Sequence, residues 1–512
     1  MTNVLEYLEH SEAKLPEKLA FTDNQRSVTY KEVVAASRRI GTALTRLAAP
    51  RRPVAVMMEK GVRTIEVFFG IVYAGCPYSL LDPRHPASRL EQILSILDAQ
   101  VLVTDKEHEE YARSLSYNGL VICVDRLMRG IADDDALRDI RLQSSSTDPL
   151  YINFTSGSTG VPKGVVVGHA SVIEFIDSFT EICSITRADV IGNQAPFDFD
   201  VSVKDIYSTV SKGATMVIIP RKLFSFPKDL IDFICDREIT TLIWAVSALC
   251  IISALKGLEY RVPERIRKVI FSGEVMPVKH LNIWRSALPG ADFFNVYGPT
   301  EITCNCTYYK IKRDFLPGEV LPIGQPFPGE RVFLLDEENH LITSKMPGVH
   351  GEICVGGTCL ALGYYNNPEQ TSLSFVQDPL DSRFRDIVYK TGDLACYLED
   401  GNLCFLSRKD FQIKHMGHRI ELGEIEAAME RVEGLERSCV LYWKEKERIC
   451  AFYEGNAERK QIVAVISEIL PSFMIPNVFH KVESFPVTAN GKIDRKTLQN
   501  TYLTENSGKQ GR

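Results

Sequence analysis

The sequence predicts an α/β protein in two domains: a large one on largely parallel, buried sheets, and a small α+β one at the carboxyl end. Two observations carry this. Apolar β-rich runs alternate with amphipathic stretches through most of the first 400 residues, and that pattern changes near residue 408. The chain opens on "MTNVLEYLEHSEAKLPEK", a short acidic amphipathic helix. Strand candidates then follow in "RPVAVMM", "AQVLVTD", "LVICVD", "ATMVIIP", "TTLIWAV", "RKVIFSG" and "DFFNVYG". Runs this continuously apolar suit strands buried on both faces, as in parallel sheets. Helical stretches such as "TIEVFFGIVYAG" and "SRLEQILSILDA" come between them, which is the alternation that parallel sheets need.

After "RKD" the text turns to "HRIELGEIEAAMERV", with a helix opening at Glu421 to Glu424, then "SCVLYW", "ERICAFYEG" and the helix "RKQIVAVISEIL". The boundary is placed at Arg408-Lys409-Asp410, giving domains 1–409 and 410–512. The second, of roughly 100 residues, is an ordinary domain size.

Composition excludes several classes. A net charge of −7 without a basic tract argues against a nucleic-acid partner. No run reaches the roughly 18 apolar residues of a membrane span, and the acidic amino terminus lacks the form of a signal peptide. The 13 cysteines are scattered without zinc spacing. The expectation is a cytoplasmic protein with reduced thiols and no membrane partner.

One stretch carries chemistry openly: "YINFTSGSTGVPKGVVVGHASV", from Tyr151 to Val172. Its glycines, hydroxyls and Lys163 suit phosphate. A Walker loop would continue GK-[ST] into a helix, whereas Lys163 here is followed by Gly164 and the strand-like "VVVG". The reading is a strand–loop–strand hairpin that holds phosphate by hydroxyls, backbone N–H groups and one lysine.

Five further stretches follow in order: "NVYGPTE" (295–301), "GEICVGG…LGYYNNPEQT" (351–371), "YKTGD" (389–393), "SRKDFQIKHMGHRIELGEIE" (407–426) and "NGKIDR" (490–495). With "TSGSTGVPKG" they resemble the motifs of the adenylate-forming superfamily, over residues from about 20 to 500. That resemblance implies stacked sheets in the large domain, a small domain that rotates about a hinge at Asp410, and formation of an acyl adenylate from a carboxylate and ATP. It implies that Thr155, Ser156, Gly157, Ser158, Thr159, Gly160 and Lys163 hold the β- and γ-phosphates. Thr300 would contact the α-phosphate and Glu301 would bind Mg²⁺. Gly273, Glu274, Asn295, Val296, Tyr297 and Gly298 would frame the adenine, and Asp393 and Arg408 the ribose. Lys492 would bridge the substrate carboxylate and the α-phosphate. After rotation, the "KHMGHRIELGE" stretch would take its place, with Gly417 leaving room for a pantetheine arm.

"APFDFDVSVKDIY" is similar to the amino-acid-activating branch, where an aspartate, here Asp200, pairs with the substrate ammonium. The rest of the implied side-chain pocket is Val201, Lys204, Trp244, Ser272, Val296, Cys304 and Asn305. Lys204 would meet an acidic substrate side chain, or else form an i,i+4 pair with Asp200 on the first helical turn. Asp200 itself would hold the ammonium or simply cap the helix. Length and wording are also similar to the D-alanine–carrier protein ligases, which carry cysteine where this chain has Ser272. Only 20 residues follow Lys492, so the expected acceptor is the phosphopantetheine thiol of a separate carrier protein. Three alternatives stay open: a D-alanine–carrier protein ligase for teichoic acid, an acyl-CoA synthetase for an aryl or fatty acid, and a nucleotide-binding protein without turnover.

Overall fold

Each of the seven apolar runs forms a strand: Val54–Met57, Val101–Thr104, Leu120–Cys123, Thr215–Ile218, Thr241–Ala245, Lys268–Ser272 and Asp292–Tyr297. The computed structural model describes residues 1–157, 161–316, 318–487 and 493–503. The chain divides into two compact units. The larger comprises Met1–Pro83, Leu94–Phe154 and Gly164–Lys409; the smaller comprises Arg84–Ile93, Thr155–Lys163 and Asp410–Arg512.

The larger unit contains a nine-stranded and a seven-stranded sheet, each with parallel pairings in its interior. Helices Tyr30–Leu44, Val62–Tyr73, His169–Ile182 and Val201–Lys212 supply buried faces to the core the two sheets share. That core gathers Val54, Val56, Val101 and Val103 with Ile191, Met216, Ile243 and Ile270. Burying each such side chain contributes about 1.5–3 kcal/mol, which outweighs the weak intrinsic preference of any one segment. Local signals agree with the packing. "SVTYKEV" begins the helix Tyr30–Leu44 through a complete capping box of Thr29 and Glu32, and Gly213 in the left-handed conformation ends Val201–Lys212.

A third sheet, six-stranded and antiparallel, follows between residues 330 and 408. Two of its neighbouring pairs, Glu330–Leu335 with Leu341–Ile342 and Ile387–Tyr397 with Leu403–Arg408, are joined by short turns, which only antiparallel neighbours allow. The turn Leu398–Asn402 is one of these, closed by the Leu398 amide donating to the Asn402 carbonyl at 2.8 Å. It pairs Ile387–Tyr397 with Leu403–Arg408 so that Asp393 stands opposite Arg408.

The smaller unit has its own core, with Ile420, Leu422, Ile425, Met429, Val440, Ile449, Ile462 and Ile466. Leu435–Trp443, Arg448–Gly455 and Val478–Lys481 form a sheet. A hairpin joins Gln412–His415 to His418–Glu421 through Met416 and Gly417, both at positive φ (53° and 81°). Two consecutive left-handed residues make the turn that matches strand twist. Methionine is a costly occupant of the first position, and such strain gathers at functional loops. All 13 cysteines are free thiols. No helix among the described residues is long and apolar enough to cross a membrane.

Candidate active site

In the larger unit the site begins where the strand Asp292–Tyr297 runs into "GPTE". A Cβ on Gly298 would lie 2.5 Å from Asn305 Cα and 2.7 Å from the Cys304 carbonyl oxygen, so only glycine lets the two backbone segments approach. Thr303 and Cys304 complete the turn at φ of 54° and 72°, left-handed conformations that non-glycine residues keep only when their surroundings enforce them. The Cys306 amide donates to the Tyr297 carbonyl at 2.8 Å and Thr303 Oγ1 to the Cys359 carbonyl at 2.7 Å. Gly298→Ala is expected to cost about 1–3 kcal/mol through this overpacking, read as a lower denaturation midpoint, because backbone rather than a flexible side chain has to yield.

Glu301 is completely buried. Tyr364 Oη donates to its Oε1 at 2.8 Å, and its backbone carbonyl accepts from the Ala361 amide at 2.9 Å. The carboxylate is therefore a fixed, hard oxygen donor, which fits a divalent magnesium ion. Thr300 beside it is half-buried.

Asp393 is buried and holds two partners. Tyr297 Oη donates to Oδ2, and Arg408 Nη1 pairs with Oδ1 at 2.6 Å. Burial, followed by the charge of Asp393, pushes the Tyr297 hydroxyl well above its ordinary pKa, so it remains a donor. A carboxylate offers about four acceptor positions, so after one bond to each oxygen an acceptor position remains on each, the arrangement two vicinal hydroxyls would need. Asn295 directs its amide to the Pro322 carbonyl at 2.7 Å, on the opposite side of the strand from Val296.

The pocket residues meet on another face. Asp200 occupies the N-cap position of Val201–Lys212, and its side chain makes no cap hydrogen bond. The capping alternative therefore fails. Lys204, one turn later, is 1% exposed; its Nζ donates to Asn305 Oδ1 at 2.8 Å and to Ser272 Oγ at 3.1 Å. It does not form the i,i+4 pair with Asp200, because the side chain extends toward the strand end and the 303–305 turn. Cys304 Sγ donates to the Asp200 carbonyl at 3.0 Å, tying that turn to the start of the helix. Val201 is half-buried and Val296 fully buried.

Trp244 departs from the expected pocket. Trp244 stands beside Phe271 in the sheet and Ala245 beside Ser272, and neighbours in register share a face while successive residues alternate. Trp244 therefore lies on the opposite face from Ser272, packed with Phe271 in a separate core, its indole N–H donating to the Gly192 carbonyl at 2.7 Å. Gly273, just past Ser272, has φ of 100°, and no atom lies within 4 Å of where its Cβ would be. Glu274 after it is half-buried.

Four of the expected phosphate-loop residues are described, within the smaller unit. Thr155 Oγ1 is buried without a hydrogen-bond partner among the described residues. Ser156 Oγ donates to the Arg419 carbonyl at 2.8 Å. A Cβ on Gly157 would sit 1.9 Å from the Val161 carbonyl oxygen, so the loop requires glycine there. Lys163 is half-buried at the start of the strand Lys163–Gly168, which neighbours Pro149–Thr155 in its sheet as the hairpin reading required. Ser158, Thr159, Gly160 and Lys492 lie outside the described residues. Asp410 is exposed, and its carboxylate accepts from the Gln412 amide at 3.2 Å.

Sequence reasoning missed three supporting groups. Tyr364 orients Glu301 and was visible only as part of "LGYYNN". Glu352 accepts from the Gly392 amide at 2.9 Å and pairs with Lys409 at 3.0 Å, fastening the last residue of the larger unit. Asp205, next to Lys204, is fully buried with Oδ2 accepting from Asn193 Nδ2 at 2.5 Å, and burial pushes its pKa up to about 7. Nothing in its local sequence marks it out.

Residues 8–365 match the model of the family described as "AMP-binding enzyme". Zwittermicin A synthase ZmaJ of Bacillus cereus is 32% identical over 511 residues, covering 97% of this chain and 94% of that protein. Surfactin synthase subunit 1 of Bacillus subtilis (strain 168) is 31% identical over 97% of this chain, which spans only 14% of that longer protein. The fold is that of a solved nonribosomal peptide synthetase protein containing adenylation and PCP domains, bound to a vinylsulfonamide inhibitor. The two agree with a TM-score of 0.83 at 24% identity, over 98% of this chain and 84% of that one. The chain belongs to the AMP-binding enzyme family, the ATP-using, adenylate-forming superfamily whose ordered motifs it carries.

Proposed function

We propose that this enzyme activates an amino acid as its aminoacyl adenylate, releasing pyrophosphate, and then passes the aminoacyl group to the phosphopantetheine thiol of a separate carrier protein. The observation that carries the amino-acid part is Asp200, a half-buried carboxylate at the start of the helix that also presents Lys204. An ammonium about 4 Å away would gain about 4 kcal/mol at an effective dielectric of 20, enough to select against an acid without one.

In the first step a substrate carboxylate oxygen attacks the α-phosphorus and pyrophosphate leaves. The reactants are both anions, so neutralising charge is the main task. Thr155, Ser156, Gly157, Ser158, Thr159, Gly160 and Lys163 would hold the β- and γ-phosphates; Thr300 would meet the α-phosphate. Asp393, steadied by Tyr297 and Arg408, would accept the ribose hydroxyls, and Gly273, Glu274, Asn295, Val296, Tyr297 and Gly298 would border the adenine. Glu301 would hold Mg²⁺, which when bound supplies positive charge to the phosphates. Lys492 would bridge the two reacting groups.

In the second step the thiol attacks the acyl carbonyl and AMP leaves. Residues 410–512 would turn about Asp410 between the steps, bringing the Met416-Gly417 turn toward the adenylate. Relatives named as synthases of zwittermicin A and surfactin, and the solved protein with adenylation and PCP domains, support a carrier as acceptor.

The test is product analysis in two stages. Incubation with ATP and an amino acid should yield an adenylate that hydroxylamine traps as the aminohydroxamate, and adding a carrier protein bearing phosphopantetheine should yield a thioester on the carrier. Trapping without transfer would remove the carrier. Transfer to free coenzyme A in preference to the carrier would move the enzyme to the acyl-CoA synthetases.

A further inference from the structure

Lys204 is a lysine in the wrong kind of place for a structural residue. It is 1% exposed, and lysine is almost never fully buried without a carboxylate partner. Its three N–H donors meet two acceptors, Ser272 Oγ and Asn305 Oδ1, both neutral. Among the described residues no carboxylate lies within ion-pair distance of Nζ. Removing an ammonium from water costs several kcal/mol, and a hydroxyl and an amide recover only part of it. Burial pulls the Lys204 pKa down, opposed by the charges of Asp200 and Asp205 nearby. Asp205, the adjacent residue, turns its carboxylate to Asn193 instead.

The surroundings suggest what completes the set. Ser272 ends a strand, Asn305 follows two left-handed residues, and Cys304 is tied to the start of the lysine's own helix. Three elements thus converge on one ammonium. Beyond Ser272 the chain opens at Gly273, where even a Cβ would touch nothing within 4 Å. Asp200 and Lys204 are four residues apart on one helix, so they share a face about 6 Å apart along the axis. A negative and a positive group at that spacing complement a molecule that bears an ammonium and a carboxylate at its two ends.

We propose that Lys204 reads the side chain of the amino-acid substrate and that this side chain is acidic, making the substrate a dicarboxylic amino acid of the aspartate or glutamate type. The inference rests on the amino-acid-activating function proposed above. The side-chain carboxylate takes the remaining N–H of Lys204 and supplies the missing counter-charge, with Ser272 and Asn305 holding the ammonium in line. A neutral side chain of the same length leaves the buried charge unmatched, and sites built around a polar partner reject analogues that lack it by large factors.

The experiment compares kcat/KM for pyrophosphate release by the full chain with glutamate, aspartate, glutamine, asparagine, alanine and leucine, in wild type, Lys204→Met and Ser272→Ala. One acidic amino acid should exceed its amide by roughly 10²-fold or more. Lys204→Met should erase that preference chiefly through KM, with the neutral substrates gaining relative to the acidic one. Its folding should be retained, since an apolar side chain of similar volume replaces an unpaired buried charge. Ser272→Ala, a milder change, should lower the preference without abolishing it, and it serves as the readout if Lys204→Met fails to fold. A preference for a neutral amino acid, or variants that lower all substrates alike, would overturn the acidic substrate and leave amino-acid activation standing. Release with aryl or fatty acids alone, or silence with every acid, would overturn both.

Discussion

Asp393→Ala is expected to destabilise the larger unit by about 3–5 kcal/mol, the cost of removing one member of a buried ion pair. The carboxylate is 4% exposed in its side chain, Arg408 12%, and their contact is 2.6 Å. Strand register makes this pair unavoidable: Asp393 and Arg408 are direct partners across the ladder, and Tyr297 reaches the other oxygen from a different sheet. Alanine takes away the group that both donors face. Asparagine in its place would keep the volume and one acceptor oxygen, so Asp393→Asn should lose less stability while still raising the KM for ATP, since amide and carboxylate differ in charge and in acceptor count. Thermal denaturation and ATP titration separate the two effects. An Asp393→Ala protein that melts like wild type would show that the pair contributes little.

Glu301→Gln is expected to lower adenylate formation by roughly 10²–10³-fold with little change in stability, as the loss of several kcal/mol of metal-borne charge stabilisation would. Glutamine keeps an oxygen for the Tyr364 hydroxyl and leaves the backbone bond from Ala361 untouched. The charge disappears and one acceptor oxygen becomes an amide nitrogen. Tyr364→Phe should act in the same direction but by less, about 1 kcal/mol, because it frees the carboxylate's orientation and not its charge. The comparison is best made across a magnesium titration, where Glu301→Gln should need more metal to reach its reduced rate. Unchanged turnover at ordinary magnesium would remove Glu301 from the metal site.

What could be read from the residues depended on how local the cause was. The strands around the site are continuous apolar runs, and the runs at Thr241–Ala245, Lys268–Ser272 and Asp292–Tyr297 became strands of one sheet. The Met416-Gly417 turn and the Gly298 approach sit inside motifs whose order was legible. Trp244 was not. Its strand was visible, but which face points toward Ser272 depends on register between strands, and that is set by the whole sheet. The i,i+4 alternative for Lys204 failed for a related reason. Helical spacing offers Asp200 as its partner, whereas burial and the strained 303–305 turn bring Asn305 and Ser272 from sequence separations of 101 and 68. Tyr364 and Glu352 act through contacts of the same long-range kind. The antiparallel sheet was under-read because its strands are interrupted by glycine turns such as Gly357 and Gly401, both at positive φ, which break the apolar runs that mark the parallel strands.

The central claim is that the acid activated here is an amino acid held through Asp200. It is tested most directly by exchange of labelled pyrophosphate into ATP, run with every proteinogenic L-amino acid, D-alanine, β-alanine and a set of aryl and fatty acids, for wild type beside Asp200→Ala and Lys492→Ala. The expected result is strong exchange with an amino acid, lost in both variants. Exchange supported only by aryl or fatty acids, or amino-acid-dependent exchange that survives Asp200→Ala undiminished, would contradict it.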